Sequence, residues 1–198
     1  MSGDARRRQI IDVAARVFAE HGFKGTTTRE IARAAAINEA VLYQHFSGKD
    51  ALFVAALEAK IGEVEIDRFL ETLPREAPIE QVMESIAVKI LSVGLGDPII
   101  QRLLIAASIE GSGDARRLFL SWRLPFISYI QQAIQRGIER GELREVDPLI
   151  TARAFVGLVM DCVLSCTLWP DLGYESSEPQ TLVRNNVPIF VRGLKRTD

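Results

Sequence analysis

Apolar residues recur three and four positions apart along this chain, in stretches opened by proline or small polar residues and closed by glycine, which is the spacing of helices that bury one face. Ile10, Ala14, Val17 and Phe18 mark a first helix from about Asp4 to His21, ended by Gly22. In Thr27-Thr28-Arg29-Glu30 a hydroxyl residue is followed three positions later by Glu, a capping box, so a second helix starts near Thr28 and ends near Ala36 or Ile37. Asn38 can cap a third over about Glu39 to Phe46, leaving a turn of about three residues between them. Ser47, with Asp50 three positions on, opens a fourth from about Gly48 to Leu73, long enough to link two parts of the chain, and Pro74 and Pro78 interrupt the chain after it.

Further helices are predicted from Pro78 to about Val93, from Asp97-Pro98 to about Glu110, from Asp114 to Arg140 with a stop at Gly141, from Asp147-Pro148 to about Leu168, and from Glu178-Pro179 to about Leu194. No segment alternates as a strand bounded by hairpin turns. The expected fold is all-α with about nine helices: a three-helix helix-turn-helix head over residues 1–55 and a larger helical domain over residues 56–198, with the boundary near Ala55. Pro125 and Pro188 fall inside predicted helices and are expected to kink or break them.

Composition narrows the class. A chain of 198 residues with 47% apolar content can bury one large core or a small and a larger one. It has no uninterrupted run of about 18 apolar residues and no apolar signal core in MSGDARRRQII, so a cytosolic protein without a membrane span is expected. The net charge of −2 is not that of a protein that coats nucleic acid. Its distribution says more: residues 1–50 hold eight Lys or Arg (Arg6, Arg7, Arg8, Arg16, Lys24, Arg29, Arg33, Lys49) against six acids (Asp4, Asp12, Glu20, Glu30, Glu39, Asp50). A basic head on an acidic body suits a protein that meets DNA with one end.

In the third helix Leu42 and Phe46 share a face and are expected to dock it, leaving Glu39, Ala40, Val41, Tyr43, Gln44 and His45 at its N-terminal end and flanks. That is how a recognition helix presents itself to the major groove, with N-terminal residues toward base edges and other polar groups toward phosphates. Lys49 falls in the first turn of the next helix, unfavourable there unless a phosphate lies opposite.

The run Leu42-Tyr43-Gln44-His45-Phe46-Ser47-Gly48-Lys49-Asp50-Ala51-Leu52-Phe53 resembles the L-Y-x-H-F-x-x-K-x-x-L-F signature of the tetracycline-repressor (TetR) family. Phe18, Gly22, Phe23, Thr26 to Thr28, Ile31 and Ala32 match that family's upstream pattern, so the resemblance spans about residues 6 to 55. It implies phosphate contacts from Thr27, Tyr43, His45 and Lys49, and base contacts from Arg29, Glu39, Ala40 and Val41; Thr28, Asn38 and Gln44 complete the candidate surface. Arg29 could read guanine, Glu39 could accept from cytosine N4, and Ala40 and Val41 could touch thymine methyls. Arg6 to Arg8 are either phosphate contacts from an N-terminal arm or a solvated helix start, and His21 reads as a helix-end residue.

The rest of the chain carries no sharp motif. Phe119, Trp122, Phe126, Tyr129, Phe155, Met160 and Trp169 have helical spacing and read either as core or as the lining of the effector cavity that the resemblance implies; Arg102, Glu110, Arg123 and Asp161 are the polar groups that could orient a largely apolar effector. The resemblance also implies a homodimer paired through the last two helices, with Val156, Val159, Val163, Leu182, Ile189 and Phe190 at the interface and a palindromic operator on double-stranded DNA. Cys162 and Cys166, one turn apart, read as small core residues or as a redox sensor.

An enzyme is not expected. The chain has no Glu-x-x-His pair, no His outside the head and no glycine-rich phosphate loop, and no metal or other cofactor is expected either. The expected function is a transcriptional regulator, a repressor released from its operator by a small molecule. A redox-sensing regulator and a helical interaction module without operator specificity are the alternatives.

Overall fold

The structure, a computed structural model, describes residues 3–168 and 179–196; Trp169 and Glu178 lie outside the described residues. Its helices are α1 (Gly3–Gly25), α2 (Thr28–Ala34), α3 (Glu39–His45), α4 (Lys49–Gly62), α5 (Ile66–Glu71), α6 (Ile79–Gly96), α7 (Pro98–Ile109), α8 (Gly113–Glu139), α9 (Pro148–Leu168) and α10 (Pro179–Arg192). No strand forms among the described residues, and one isolated antiparallel bridge joins Leu143 to Lys195.

The fourth predicted helix is two. α4 ends at Gly62, Glu65 takes a left-handed conformation at φ 49°, and α5 restarts at Ile66. Val64 and Ile66 are both buried across this break, so the chain leaves the helix to place two apolar side chains that one straight helix would not bury together. The single continuous helix expected over residues 48–73 is therefore absent. Ser47 is not the cap of α4 either: Gly48 holds that position in extended backbone, with no side-chain cap.

The chain forms two compact units. The first comprises the described residues of Met1–Glu65 and Pro98–Trp122, the second those of Ile66–Asp97 and Arg123–Asp198. The expected boundary near Ala55 thus falls inside α4, where Ala55, Ala56 and Leu57 are all buried. In the first unit α1 packs on α2, α4 and α7, around an aromatic cluster in which Phe18, Phe23 and Phe53 have ring centroids 5.0 to 6.1 Å apart. In the second, α6 carries Val82, Met83, Ile86, Ala87, Ile90 and Leu91 as a buried stripe that α9 and α10 cover.

Neither internal proline breaks its helix: α8 continues through Pro125 and α10 through Pro188. The carbonyls that lose an N–H partner belong to Ser121 and Arg184, both on exposed residues where water can replace it. Residues 148–167 of α9 are long and apolar enough, by length and composition, to cross a membrane. The expectation of no such segment, based on uninterrupted runs, missed it because Arg153 and Asp161 punctuate the helix. About 39% of that segment is buried, and its inner side packs on α6, as a core helix does.

Candidate nucleic-acid interface

The turn before α2 is built by the residues that the sequence marks. Thr27 is its N-cap and completes the capping box: its N–H donates to Glu30 Oε2 at 2.8 Å, its hydroxyl to the same oxygen at 2.9 Å, and Glu30 N–H donates back to Thr27 Oγ1 at 3.2 Å. These bonds hold the Glu30 carboxyl below its ordinary range, helped by the charges of His21 and Arg33, so the box opens only as pH falls through that lowered value. Asn38 Oδ1 accepts from Val41 N–H at 2.9 Å, which makes this side chain the cap of α3. Between the helices Ala36 sits at φ 52°, the left-handed residue that turns α2 into α3.

α3 docks through Leu42 and Phe46, both buried, and Arg7 lies over the Phe46 ring at 4.9 Å. Arg6 donates to Gln9 Oε1 at 2.9 Å, so two of the three arginines in that run brace the head rather than simply ending in solvent. The outer surface of α3 carries Ala40, Tyr43 and Gln44, exposed, with Glu39, Val41 and His45 half-buried; Tyr43 is 52% exposed.

Across the groove between α2 and α3, Thr28 Oγ1 donates to Glu39 Oε1 at 2.5 Å and lies 3.3 Å from Tyr43 Oη. The acidic residue at the tip of α3 is thus held in place before any ligand arrives, with one carboxylate oxygen still available as an acceptor. Arg29, which follows Thr28 in α2, is exposed.

Lys49 has a different environment from the one its position suggests. Its ammonium donates to Phe23 O and Thr26 O, each at 3.0 Å, and lies 4.5 Å from the centre of the Phe23 ring. Two carbonyls and a ring face supply the negative potential that a helix N-terminus lacks, so no phosphate is needed to explain a lysine there. Lys49→Ala is expected to cost the fold about 3–6 kcal/mol, since it loses two bonds from a charged donor and each contributes about 1.5–3 kcal/mol. Thermal unfolding measures this; an unchanged Tm with a shallower salt dependence of DNA binding would restore the phosphate role.

The expected effector residues fall in both units: Arg102, Phe119 and Trp122 in the first, Phe126, Tyr129, Phe155 and Met160 in the second. Phe155 is buried against Phe190 at 5.2 Å, Trp122 and Phe126 are buried, Met160 nearly so, Phe119 is half-buried, and Tyr129 donates to Leu73 O at 3.0 Å. Arg102 and Asp161 are exposed, whereas Glu110 accepts a backbone bond from Lys24. Arg123 is half-buried, and burial together with the charge of Arg153 lowers its pKa. The second unit has an open cleft of about 650 Å³ between α5 and α8, but charged residues (Asp67, Glu71, Arg75, Arg136) dominate it, and Tyr129 is the one expected residue it touches. An apolar void beside Phe155 and Cys162 measures about 10 Å³, too small for an effector.

Sequence reasoning missed Gln101. It is 1% exposed in α7, and neither its amide nitrogen nor its amide oxygen bonds to any described group.

Three of the expected interface residues are taken up inside the chain. Val156, Val159 and Val163 are buried on the inner side of α9, which packs on α6, because valines three and four apart form one stripe and α6 covers it. Of the expected residues Ile189 on α10 is left in solvent, 67% exposed, while the exposed apolar residues of α9 are Leu149, Ile150 and Leu158, which were not expected, Ile150 at 66%. Leu182 and Phe190 are half-buried. Cys162 accepts from Asn186 Nδ2 at 3.4 Å, and burial, Asp161 and Cys166 all push its thiol pKa up, which disfavours the thiolate a redox sensor needs.

Residues 10–56 match the family model of bacterial regulatory proteins of the tetR family, and residues 81–193 match that of the C-terminal domain of AefR-like transcriptional repressors. Among curated proteins, the HTH-type transcriptional repressor Rv1474c of Mycobacterium tuberculosis is 27% identical over 161 residues, covering 81% of each chain. Among solved structures, AibR in complex with isovaleryl coenzyme A and operator DNA has a TM-score of 0.73 at 23% identity, covering 93% of this chain and 97% of its own. FadR from Bacillus subtilis in complex with stearoyl-CoA has a TM-score of 0.70 at 21% identity, covering 94% and 98%. With one model on the helix-turn-helix and the other on more than half of the chain, this protein belongs to the tetR family of transcriptional regulators.

Proposed function

We propose that the chain is a homodimeric repressor that occupies a palindromic operator and leaves it on binding an effector with a long apolar part, of the acyl-coenzyme A class. The observation that carries the operator half is the outer face of α2 and α3, where the Glu39 carboxylate is fixed by Thr28 and where Arg29 and Tyr43 are exposed. A preorganised acceptor and an exposed guanidinium are groups that read base edges, and for the acceptor the ordering has already been offset in the fold. Tyr43, His45 and the N–H groups at the start of α2 serve phosphates.

The effector class is supported by two relatives of like fold, AibR in complex with isovaleryl coenzyme A and FadR in complex with stearoyl-CoA. In this chain Gln101 supports a polar anchor for it: a buried amide with both ends unmet costs about 1–3 kcal/mol per group, and a ligand amide or thioester carbonyl would recover that cost. Gln101→Leu is therefore expected to raise stability by about 1–2 kcal/mol in chemical denaturation while blunting the effector response. A loss of stability would mean that the amide is already satisfied and is not an anchor.

The test of the proposal is titration of acyl-coenzyme A thioesters of increasing chain length into the complex with operator DNA, read by fluorescence anisotropy. Release that sharpens with chain length and is absent with free coenzyme A supports it. Operator binding indifferent to every thioester sinks the effector class and leaves the DNA reading standing.

A further inference from the structure

The turn joining α1 to α2 is tied to a residue far along the chain. Gly22 has φ 73° and ψ 173°, a conformation essentially confined to glycine, and it takes the chain out of the α1 hydrogen-bond ladder. The N–H of Lys24, two residues on, donates instead to Glu110 Oε2 at 2.9 Å. The same carboxylate oxygen lies 3.5 Å from where a Cβ on Gly22 would stand, so it sits directly over the glycine.

The other bonds that hold this turn come from the head itself. Thr26, fully buried, donates its hydroxyl to Gly22 O at 2.8 Å, its N–H pairs with Phe23 O, and Lys49 holds the carbonyls of Phe23 and Thr26. Glu110 reaches in from outside residues 1–55, and the chain around it is hydrogen-bonded and closely packed. Its N–H bonds Ala106 O at 2.8 Å, and the next residue, Gly111, is packed so tightly that a Cβ there would lie 2.6 Å from Ala107 O and 2.8 Å from the Ala115 Cβ.

We propose that Glu110 is a positioning residue for DNA reading: through the Lys24 N–H it lets α7 set the α1–α2 turn, and with it the Thr27 cap and the Thr28–Glu39 pair on the DNA-facing surface. α7 also carries Gln101, nine positions earlier and about 14 Å away along the helix at 1.5 Å per residue. A displacement of α7 at Gln101 is therefore felt at Glu110 and weakens operator binding. Only this last step rests on the effector proposal.

Glu110→Ala and Glu110→Gln test the role, since glutamine keeps an acceptor oxygen and alanine does not. The readouts are affinity for the operator, affinity for unselected sheared DNA, and hydrogen exchange of the Lys24 amide in the free protein. Glu110→Ala is expected to lose about tenfold on the operator and little on unselected DNA, and to speed Lys24 exchange about tenfold; Glu110→Gln stays within about threefold of the parent on all three.

A plain surface carboxylate would behave in the opposite sense, because removing its charge strengthens DNA binding at low salt for both variants. That result, or unchanged Lys24 exchange in Glu110→Ala, overturns the proposal. If the parent protein itself prefers no sequence, the operator reading fails, and the Lys24 exchange still decides whether the contact exists.

Discussion

Ile189→Asp combined with Leu158→Asp is expected to turn the protein into a monomer and to lower operator affinity by about a hundredfold or more. Val156, Val159 and Val163 are spent against α6, so what α9 and α10 still offer a second copy is Leu149, Ile150, Leu158 and Ile189, all exposed. A two-fold interface brings each substitution in twice, and a carboxylate placed in apolar contact without a partner costs several kcal/mol. Half-sites read by separate monomers also lose the gain that comes from linking two binding events on one DNA. Sedimentation equilibrium and operator binding measured on the same preparation check both parts. A variant that stays dimeric would place the interface elsewhere, and Val156→Asp, which should unfold the chain rather than dissociate it, serves as the contrast.

Arg29→Ala is expected to cost about 1–3 kcal/mol per half-site at the base pair it reads, and to relax preference at that position. Its guanidinium is exposed, so the loss is a loss of binding and not of fold. Glu39→Ala should also change which sequence is preferred, but its effect is mixed, because it frees the Thr28 hydroxyl from a 2.5 Å bond. Tyr43→Ala belongs to the other class: a side chain that meets phosphate should weaken all DNA alike and reduce the salt slope. Affinities of these variants on a panel of singly substituted operators, at two salt concentrations, separate the classes. Equal losses from Arg29, Glu39 and Tyr43 on every sequence would contradict the division.

The head was legible in the sequence because its signals are local. A capping box at Thr27 and Glu30, a cap at Asn38 and an apolar pair at Leu42 and Phe46 each act within one turn of helix, and each is formed. The helices of the remainder keep close to their prolines and glycines for the same reason. The illegible part depends on which elements pack together. Lys49 could be placed in the first turn of α4 from its number alone, but the carbonyls of Phe23 and Thr26 that hold it come from a turn whose path is set by Gly22.

The valines of α9 give another instance. An apolar helix with more than one stripe does not say which side faces its own core, and that choice belongs to α6. The α4–α5 break needed Glu65 in a left-handed conformation, which glutamate does not advertise. Gln101 gave no signal at all, since a lone glutamine in an apolar run is ordinarily a surface residue.

Whether this fold presents a paired, sequence-reading surface to DNA is tested most directly by selection of the purified full chain on sheared genomic DNA from its source. The selection runs in about 150 mM salt, where non-specific contacts are largely screened, and the DNA that stays bound is sequenced. The expected result is enrichment of one palindromic motif whose half-sites are a helical turn or a multiple of it apart, as a dimer with two recognition helices requires. Recovery of DNA without a shared motif, or of a single unpaired half-site, would contradict it.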